Sequence, residues 1–396
     1  MRRDPRVPLL ALFGAAATLS GAAAFVVLGL LALDAATASL RRRELPCRPP
    51  AFGAALAFAL WGLLMVAFSS DPAFSLIMAK RFLVLLALGA GACLMTDPER
   101  RLLTAGAVIA GGAANALWTL ATQEFAWDLT GRRVTMVQGS ATTGAWILGL
   151  AAVTALAFGV TLPRRRVRLL ALSALAPLLA ALALSQTRSA WLGLGAALAV
   201  MLGVSRRRGA ALALAVVLAV AALGPSALRE RAVGVGDPQD TAVSVRVKQW
   251  RVALELVAWR PVTGVGDVYL SDLARIRTGY VDRLDADMHH LHHSLLTAAV
   301  FWGVPGAAFF LLLMGTLLWR LAQAWRGPPA DASLRAWTLA GLGAWTFYFT
   351  AGWADALLVD QETTLLFLLV AGAGIIPRST GDGSPPAALP GGPARP

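Results

Sequence analysis

Residues 294–319 are SLLTAAVFWGVPGAAFFLLLMGTLLW, a run without one charged side chain. About 20 apolar residues in a helix cross a bilayer, so this run predicts a transmembrane helix. Other apolar runs, such as residues 210–223, are separated by only a few Arg, Pro and Asp residues. Because the chain is 57% hydrophobic and 14% charged, we expect an all-α polytopic membrane protein and exclude a soluble one.

Apolar segments of this kind recur along the chain, and we count about twelve predicted transmembrane helices. They cover residues 7–20, 21–40, 51–69, 76–96, 102–122, 141–162, 168–185, 190–204, 209–224, 294–319, 334–353 and 361–376. The first two could instead form one overlong helix. A hairpin that turns at Ser20-Gly21 places the N-terminal arginines and the later arginine clusters on one side, as expected for cytoplasmic loops. We therefore predict that both ends of the chain are cytoplasmic.

The predicted spans divide the chain into four parts. Helices 1–9 occupy residues 1–224, a large periplasmic loop with short helices occupies 225–293, helices 10–12 occupy 294–376, and a disordered cytoplasmic tail occupies 377–396. No cleavable signal peptide is convincing, so the N-terminus is expected to be retained as a signal anchor.

Charge and cysteine usage exclude two further classes of site. The formal net charge of +13 comes from arginine clusters that punctuate apolar segments, whereas a nucleic-acid-binding protein gathers its charge on a soluble face. We therefore expect contact with membrane lipids and no nucleic-acid partner. Neither Cys47 nor Cys93 is expected to form a disulfide or a thiolate metal site.

All four histidines of the chain lie within five positions, where the large loop meets the next span. They are His289, His290, His292 and His293. Imidazole exchanges protons near neutral pH, which suits a base that takes the proton of a substrate hydroxyl. Two other interpretations stay open. His289 and His293 have the i, i+4 spacing of a helical metal site, and the cluster could also consist of polar residues at the membrane boundary.

Two arginines are candidates for binding an anion. Arg188 lies between apolar segments at the outer face, where a guanidinium needs an anionic partner or must reach the lipid headgroups. Arg246 begins the stretch RVKQW, which predicts an amphipathic helix along the membrane. The turn Pro261-Val-Thr-Gly-Val-Gly266 follows, and its Gly-x-Gly lacks the third glycine of a nucleotide-binding fingerprint.

More basic side chains are predicted on the same face. Lys80 and Arg81 lie near the outer end of the fourth apolar segment, and Arg132 and Arg133 lie in an external loop. Guanidinium groups bind phosphates through forked hydrogen bonds. Together with Arg188, these side chains predict a site for a pyrophosphate.

These motifs resemble the O-antigen ligase and polymerase superfamily, whose members are membrane glycosyltransferases with a GT-C-like helical fold. Ser185-Gln-Thr-Arg-Ser-Ala-Trp-Leu-Gly193 is similar to the family's Ser/Thr-Arg-small-x-x-x-Gly element. The RVKQW stretch and the Pro261 turn are similar to its Arg-x-x-x-Trp and Pro-x-x-Gly-x-Gly elements. The most specific likeness is to His-x-His-Asn, nine residues, Gly-x-x-Gly. The chain has His290-Leu-His-His293 and Gly303-Val-Pro-Gly306, with Phe301 where relatives often carry an acidic residue.

The resemblance implies an O-antigen ligase that transfers a glycan from undecaprenyl pyrophosphate to a sugar hydroxyl of lipid A-core. The implied reaction is inverting and independent of metal or cofactor, with His292 as the catalytic base. The implied substrate-binding residues are Arg188, Arg246, Arg81, Lys80, Arg133, Arg132, His290 and His293. The implied location is the bacterial inner membrane, with the active site facing the periplasm.

Other functions remain open from the sequence. A polymerase that lengthens the lipid-linked glycan and a protein O-oligosaccharyltransferase belong to the same superfamily. A transporter or flippase would need ionisable residues near the middle of the membrane. The chain has few of these, because Asp355, Asp360 and Glu362 lie at an outer boundary.

Overall fold

The computed structural model describes residues 4, 6–43, 47–123, 133–205, 241–268, 273 and 291–375. Within these ranges the regular elements are helices, which we number α1 to α12. They are Arg6–Leu19, Gly21–Arg42, Phe52–Val66, Pro72–Leu94, Pro98–Thr122, Ala141–Thr161, Arg165–Leu184, Arg188–Ser205, Thr241–Trp259, Ser294–Arg326, Ala332–Ala354 and Gln361–Ala373. A 3-10 turn, Leu357–Val359, lies between α11 and α12.

The helices follow the predicted spans closely. Each predicted span except 209–224 coincides with one of α1–α8 or α10–α12, and 209–224 lies outside the described residues. In the described ranges, seven helices are long and apolar enough to cross a membrane, and α1, α3 and α12 are shorter apolar helices. The chain is therefore an all-α, multi-pass membrane protein, and the number of twelve spans stays a prediction.

The N-terminal segment forms the predicted hairpin. Nε of Arg6 in α1 donates a hydrogen bond of 2.6 Å to Oδ2 of Asp34 in α2. One continuous helix would hold these residues about 42 Å apart, at 1.5 Å per residue. The chain turns at Ser20, whose hydroxyl accepts a hydrogen bond from the backbone N–H of Ala23 and so caps α2.

Ion pairs connect several helix ends at one end of the bundle. Arg100, in the first turn of α5, contacts both Asp4 and Asp97, and the neighbouring Arg101 contacts Asp331 at the start of α11. We call this end the basic end. The helices α6, α8, α10 and α12 begin at the opposite end.

The centre of the bundle is formed by helices that are apolar on every side. In α6, residues 144–159 are all buried, and α12 is buried from Thr363 to Ala373. A helix that is hydrophobic all round belongs in the interior of a large or membrane-embedded protein. By contrast, α2 and α7 expose leucines such as Leu33 and Leu170, at 61% and 71%, and so form part of the lipid-facing surface.

The turn at residues 261–266 fills a break in α10. Pro305 has no N–H to bond the carbonyl of Phe301, and the helix is interrupted at Gly303, where φ is 71°. The carbonyl of Phe301 instead accepts from the N–H of Gly266 at 3.0 Å. A Cβ on Gly303 would lie 2.0 Å from the carbonyl oxygen of Val262, so glycine is required there. The Pro-x-x-Gly-x-Gly and Gly-x-x-Gly elements therefore pack directly against each other. We call this contact between residues 261–266 and the break in α10 the joint.

Further backbone hydrogen bonds complete this joint. The N–H of Val265 donates to the carbonyl of Val300 at 2.8 Å, and the N–H of Val304 donates to the carbonyl of Pro261 at 2.7 Å. Both bonds replace the one that an unbroken helix would make between Val304 and Val300, so each of these backbone groups keeps a partner.

The expectation for the cysteines was wrong. Cys47, in the segment after α2, forms a disulfide with Cys93 at the end of α4, and their Cα atoms are 5.9 Å apart. The two residues are 46 positions apart in sequence. Only the packing of the α2–α3 connection against the end of α4 brings them together, and spacing alone does not reveal it.

Candidate active site

His292 lies at the end of the bundle opposite the basic end, between the large loop and α10. Its φ of 46° is in the left-handed region, which is uncommon for a residue with a side chain. Its Nδ1 lies 2.6 Å from Oδ1 of Asp355, the residue after α11. An ionised carboxylate only accepts hydrogen bonds, so this contact fits the tautomer in which Nδ1–H donates a hydrogen bond to Asp355. Nε2 then holds the lone pair that can accept a proton.

Asp355 is the centre of this arrangement. Its side chain is only 4% exposed, against 35% for that of His292. The hydroxyl of Ser189 donates to Oδ2 of Asp355 at 3.4 Å and itself accepts from the indole N–H of Trp146 at 3.1 Å. Nη2 of Arg246 lies 4.0 Å from the same Oδ2. The buried carboxylate therefore accepts hydrogen bonds from the side chains of Ser189 and His292 and lies near the cation Arg246, and these groups stabilise its charge.

Three of the sequence motifs meet at Asp355. Ser189 follows Arg188 in the first motif, Arg246 begins the second, and His292 belongs to the histidine motif. Asp355 was predicted at an outer boundary and had no predicted role. The available signal was its position, because an acidic residue ends a predicted span on the same face as the histidines.

Arg246 lies 4.0 Å from this carboxylate, and Arg188 is the sequence neighbour of Ser189, which donates to it. Arg188 is the first residue of α8 and is adjacent to Ser189, and Arg246 lies in the first half of α9. The side chain of Arg246 is 23% exposed. The predicted helix around residues 246–250 is present as part of α9, which packs against α10 and buries Val252 and Leu256.

Arg133 supports the turn before α8. Its Nε donates to the carbonyl of Ser185 at 2.9 Å, and its Nη2 donates to the hydroxyls of Thr187 and Thr142 at 2.9 and 3.0 Å. Gln186 in this turn has a φ of 52°. Arg133 thus binds the residues that directly precede Arg188 and holds the backbone of that turn in place.

His293 has surroundings that differ from those of its neighbour His292. Its Nδ1 accepts a hydrogen bond from the N–H of Leu296 at 3.3 Å and so caps α10. Its ring makes edge contacts with Trp250 and Trp353, with centroid distances of 5.6 and 4.9 Å. Burial lowers the pKa of His293, which favours the neutral ring that the cap requires.

Arg81 is held in a separate, buried ion pair. Its Nη1 lies 2.7 Å from Oδ2 of Asp267, and both side chains are 10% exposed. The guanidinium also lies 5.9 Å from the ring centroid of Phe301, the position where relatives often carry an acidic residue. The backbone N–H of Asp267 donates to the hydroxyl of Ser75 at 2.9 Å, so this pair ties α4 to the joint at residues 261–266. The neighbouring Lys80 is exposed.

Some predicted site residues fall outside the described ranges. These are Arg132, His289 and His290. Among the residues that are described, no group of three or more His, Cys, Asp or Glu side chains could hold a metal ion. The metal interpretation depended on His289, so it is not tested by this geometry.

The comparison with known families agrees with the convergence of these motifs. Residues 173–311 match the family model described as O-antigen ligase. This part of the chain is therefore similar to the O-antigen ligase family, which supports the resemblance to the O-antigen ligase and polymerase superfamily. A search of the curated proteins returns no match.

The segment that matches the O-antigen ligase model contains every motif on which the resemblance was based. It begins before Ser185 and ends after Gly306. Asp355 and Arg81 lie beyond it, so the charge that holds His292 comes from outside the matched segment. Members of this superfamily are membrane glycosyltransferase-like enzymes that act on lipid-linked glycans and lipid acceptors.

Proposed function

We propose that the protein is an O-antigen ligase that transfers a glycan from undecaprenyl pyrophosphate to a sugar hydroxyl of lipid A-core. The observation that carries this proposal is the pair formed by His292 and the buried Asp355. A histidine whose Nδ1 is held by a carboxylate presents Nε2 as a general base in a fixed orientation. Transfer of a glycosyl group to a hydroxyl needs such a base.

In the proposed reaction, Nε2 of His292 takes the proton of the acceptor hydroxyl as its oxygen attacks the anomeric carbon of the donor. A new C–O bond forms on one face of the sugar while the bond to the pyrophosphate oxygen breaks on the other. The configuration at the anomeric carbon is therefore inverted. Undecaprenyl pyrophosphate leaves with the bonding electrons, and no metal or cofactor takes part. Asp355 stabilises the imidazolium that forms.

We assign Arg188 and Arg246 to the donor pyrophosphate. Arg246 lies 4.0 Å from Asp355 and Arg188 is adjacent to Ser189, which donates to Asp355. Cations near the leaving group stabilise the charge that develops there. Arg133 contributes by fixing the turn before Arg188. Arg132, Lys80 and His290 keep the substrate-binding role that the resemblance implies.

Two of the implied binding residues receive a different role in this proposal. Arg81 is buried against Asp267, and its charge is already compensated there, so we assign it to holding the joint at residues 261–266. We assign His293 to capping α10, because its Nδ1 accepts from Leu296. The base is then His292 and not its neighbour.

The proposed setting is the bacterial inner membrane, with the catalytic end facing the periplasm. The support is the distribution of charge, because Arg6, Arg100 and Arg101 gather at the other end of the bundle and cytoplasmic ends carry such residues. In the described part of the chain, Asp355 and Asp360 lie at the catalytic end. A transporter would instead need ionisable side chains near mid-membrane.

The proposal is tested by transfer of an undecaprenyl-pyrophosphate-linked glycan to lipid A-core by the purified protein in detergent with EDTA. We expect the wild type to transfer the glycan, and His292→Ala and Arg188→Ala to lose transfer while both variants remain folded. Longer donor chains without a lipid A-core product would identify a polymerase, and glycan on an added acceptor protein would identify a protein transferase. Loss of wild-type activity in EDTA would contradict the metal-independent mechanism.

A further inference from the structure

A large groove lies at the basic end of the bundle, far from the proposed active site. Its volume is about 630 Å³, within the range of about 300–1,000 Å³ that is usual for ligand sites. It is bounded by α5, α7, the end of α6 and the start of α11. Neither the family match nor the proposed reaction gives it a role.

The walls of the groove are apolar and extend along one face of α5. Pro98, Leu102, Gly106 and Ala110 line it at helical spacing, so it runs for about 18 Å from the basic end at 1.5 Å per residue. That length is close to half of the roughly 30 Å hydrocarbon core of a bilayer. The groove therefore has the depth of the acyl chains of one membrane leaflet.

The mouth of the groove is basic. Arg164 lines it and is exposed, and the exposed Arg165, Arg166 and Arg168 follow on the same connection and the first turn of α7. The acidic side chain at the mouth, Asp331, is engaged by Arg101. Basic pockets between transmembrane helices on this side of a membrane bind the phosphates of anionic lipid headgroups.

We propose that this groove is a binding site for an anionic phospholipid from the leaflet at the basic end. The phosphate is held by Arg164 and its neighbours, and an acyl chain lies along α5 over Gly106 and Ala110. The small side chains on α5 leave the space that the acyl chain fills. The apolar walls of the groove favour a lipid over a free phosphate, because they can bind an acyl chain. The arginines at its mouth favour an anionic lipid over a zwitterionic one.

Two glycines provide a matched test. A Cβ on Gly106 or on Gly29 meets no atom within 4 Å, so a larger side chain fits at either position without a clash. Gly106 lines the groove, whereas Gly29 lies on the exposed surface of α2. Gly106→Leu should occupy the space of the acyl chain, and Gly29→Leu should not. Arg164→Gln and Arg41→Gln form a second pair, since both arginines are exposed at the basic end but only Arg164 lines the groove.

The measurement is native mass spectrometry of the full chain from bilayers of phosphatidylglycerol and phosphatidylethanolamine in equal amounts. We expect the wild type, Gly29→Leu and Arg41→Gln to retain one phosphatidylglycerol. Arg164→Gln should retain about tenfold less, as for loss of one charge-assisted contact. Gly106→Leu should also retain much less, because leucine fills the space of the acyl chain. Thermal unfolding in detergent checks that each variant is folded. Equal retention of phosphatidylethanolamine, equal retention by Gly106→Leu and Gly29→Leu, or a lipid-free dimer that covers the groove would overturn the proposal.

Discussion

Asp355 and Asp267 are two buried carboxylates near the catalytic end in the described part of the chain, and the exposure of their partners differs. Asp355 is buried, but its partners His292 and Arg246 are 35% and 23% exposed. In the Arg81–Asp267 pair, both side chains are only 10% exposed. Asp355 can act on a substrate through His292 and Arg246, which are partly exposed, whereas Arg81 and Asp267 are both buried. Both carboxylates have a charged partner, so charge alone does not distinguish them. The exposure of the partner side chains distinguishes the proposed catalytic carboxylate, Asp355, from the structural one, Asp267.

The largest expected effect is on the rate of glycan transfer, when the two adjacent histidines are substituted one at a time. His292→Asn removes the proposed base and should lower the rate of glycan transfer by about 100- to 10,000-fold. His293→Asn should keep most of the activity, because asparagine is a good helix N-cap and can accept from Leu296. Transfer assays on both purified variants make the comparison. Equal loss in both would mean that the site needs the cluster and not one base.

The next effect is on the stability of the protein and concerns the buried Arg81–Asp267 pair. Arg81→Ala leaves the carboxylate of Asp267 buried without its partner and should lower the free energy of unfolding by about 3–5 kcal/mol. The double variant Arg81→Met/Asp267→Leu should recover much of that loss. Thermal unfolding measures stability, and the KM for the donor shows whether Arg81 also binds substrate. A raised donor KM with unchanged stability would place Arg81 in the pyrophosphate site.

A smaller effect is expected at the joint between α10 and the turn at residues 261–266. Gly303→Ala should cost about 1–3 kcal/mol, because of its positive φ and the contact with Val262. Gly315→Ala, in the same helix with open space around its Cβ, should be neutral or slightly stabilising. Thermal unfolding of both variants tests the joint, and equal stability would show that the break in α10 is dispensable.

The smallest effect concerns pH. Because burial lowers the pKa of His293 in the folded protein, its contribution to stability is present above the ordinary histidine pKa of about 6.5 and is lost as the pH falls below it. We expect the wild type to lose more stability than His293→Asn between about pH 7 and pH 5. Unfolding at a series of pH values measures this, and parallel curves would contradict the capping role.

Much of the fold could be predicted from local patterns. Apolar runs and arginine clusters gave the helices and the hairpin, because burial and charge act on each segment separately. The disulfide between Cys47 and Cys93 was missed since it depends on how distant segments pack. The joint between residues 261–266 and α10 also depends on the packing of distant segments. It was therefore not predicted, although its glycines and proline were recognised as motifs.

The candidate site could be predicted only in part. His292, Arg188 and Arg246 were found because they lie in short motifs with recognisable spacing. Asp355 is 63 residues beyond His292, and no local pattern marks it. The buried ion pair of Arg81 with Asp267 could not be predicted either. A sequence shows which side chains are charged, but not which ones are paired with each other.

The central claim is that Asp355 positions His292 for proton transfer in the glycosyl transfer step. The most direct measurement is kcat and KM for both substrates in Asp355→Asn and the wild type. We expect kcat to fall about 10- to 100-fold, as when a hydrogen bond to a charged group worth about 1.5–3 kcal/mol is lost, while both KM values change little. An unchanged kcat with a raised KM would contradict the claim, because Asp355 would then shape the binding surface instead of orienting the base.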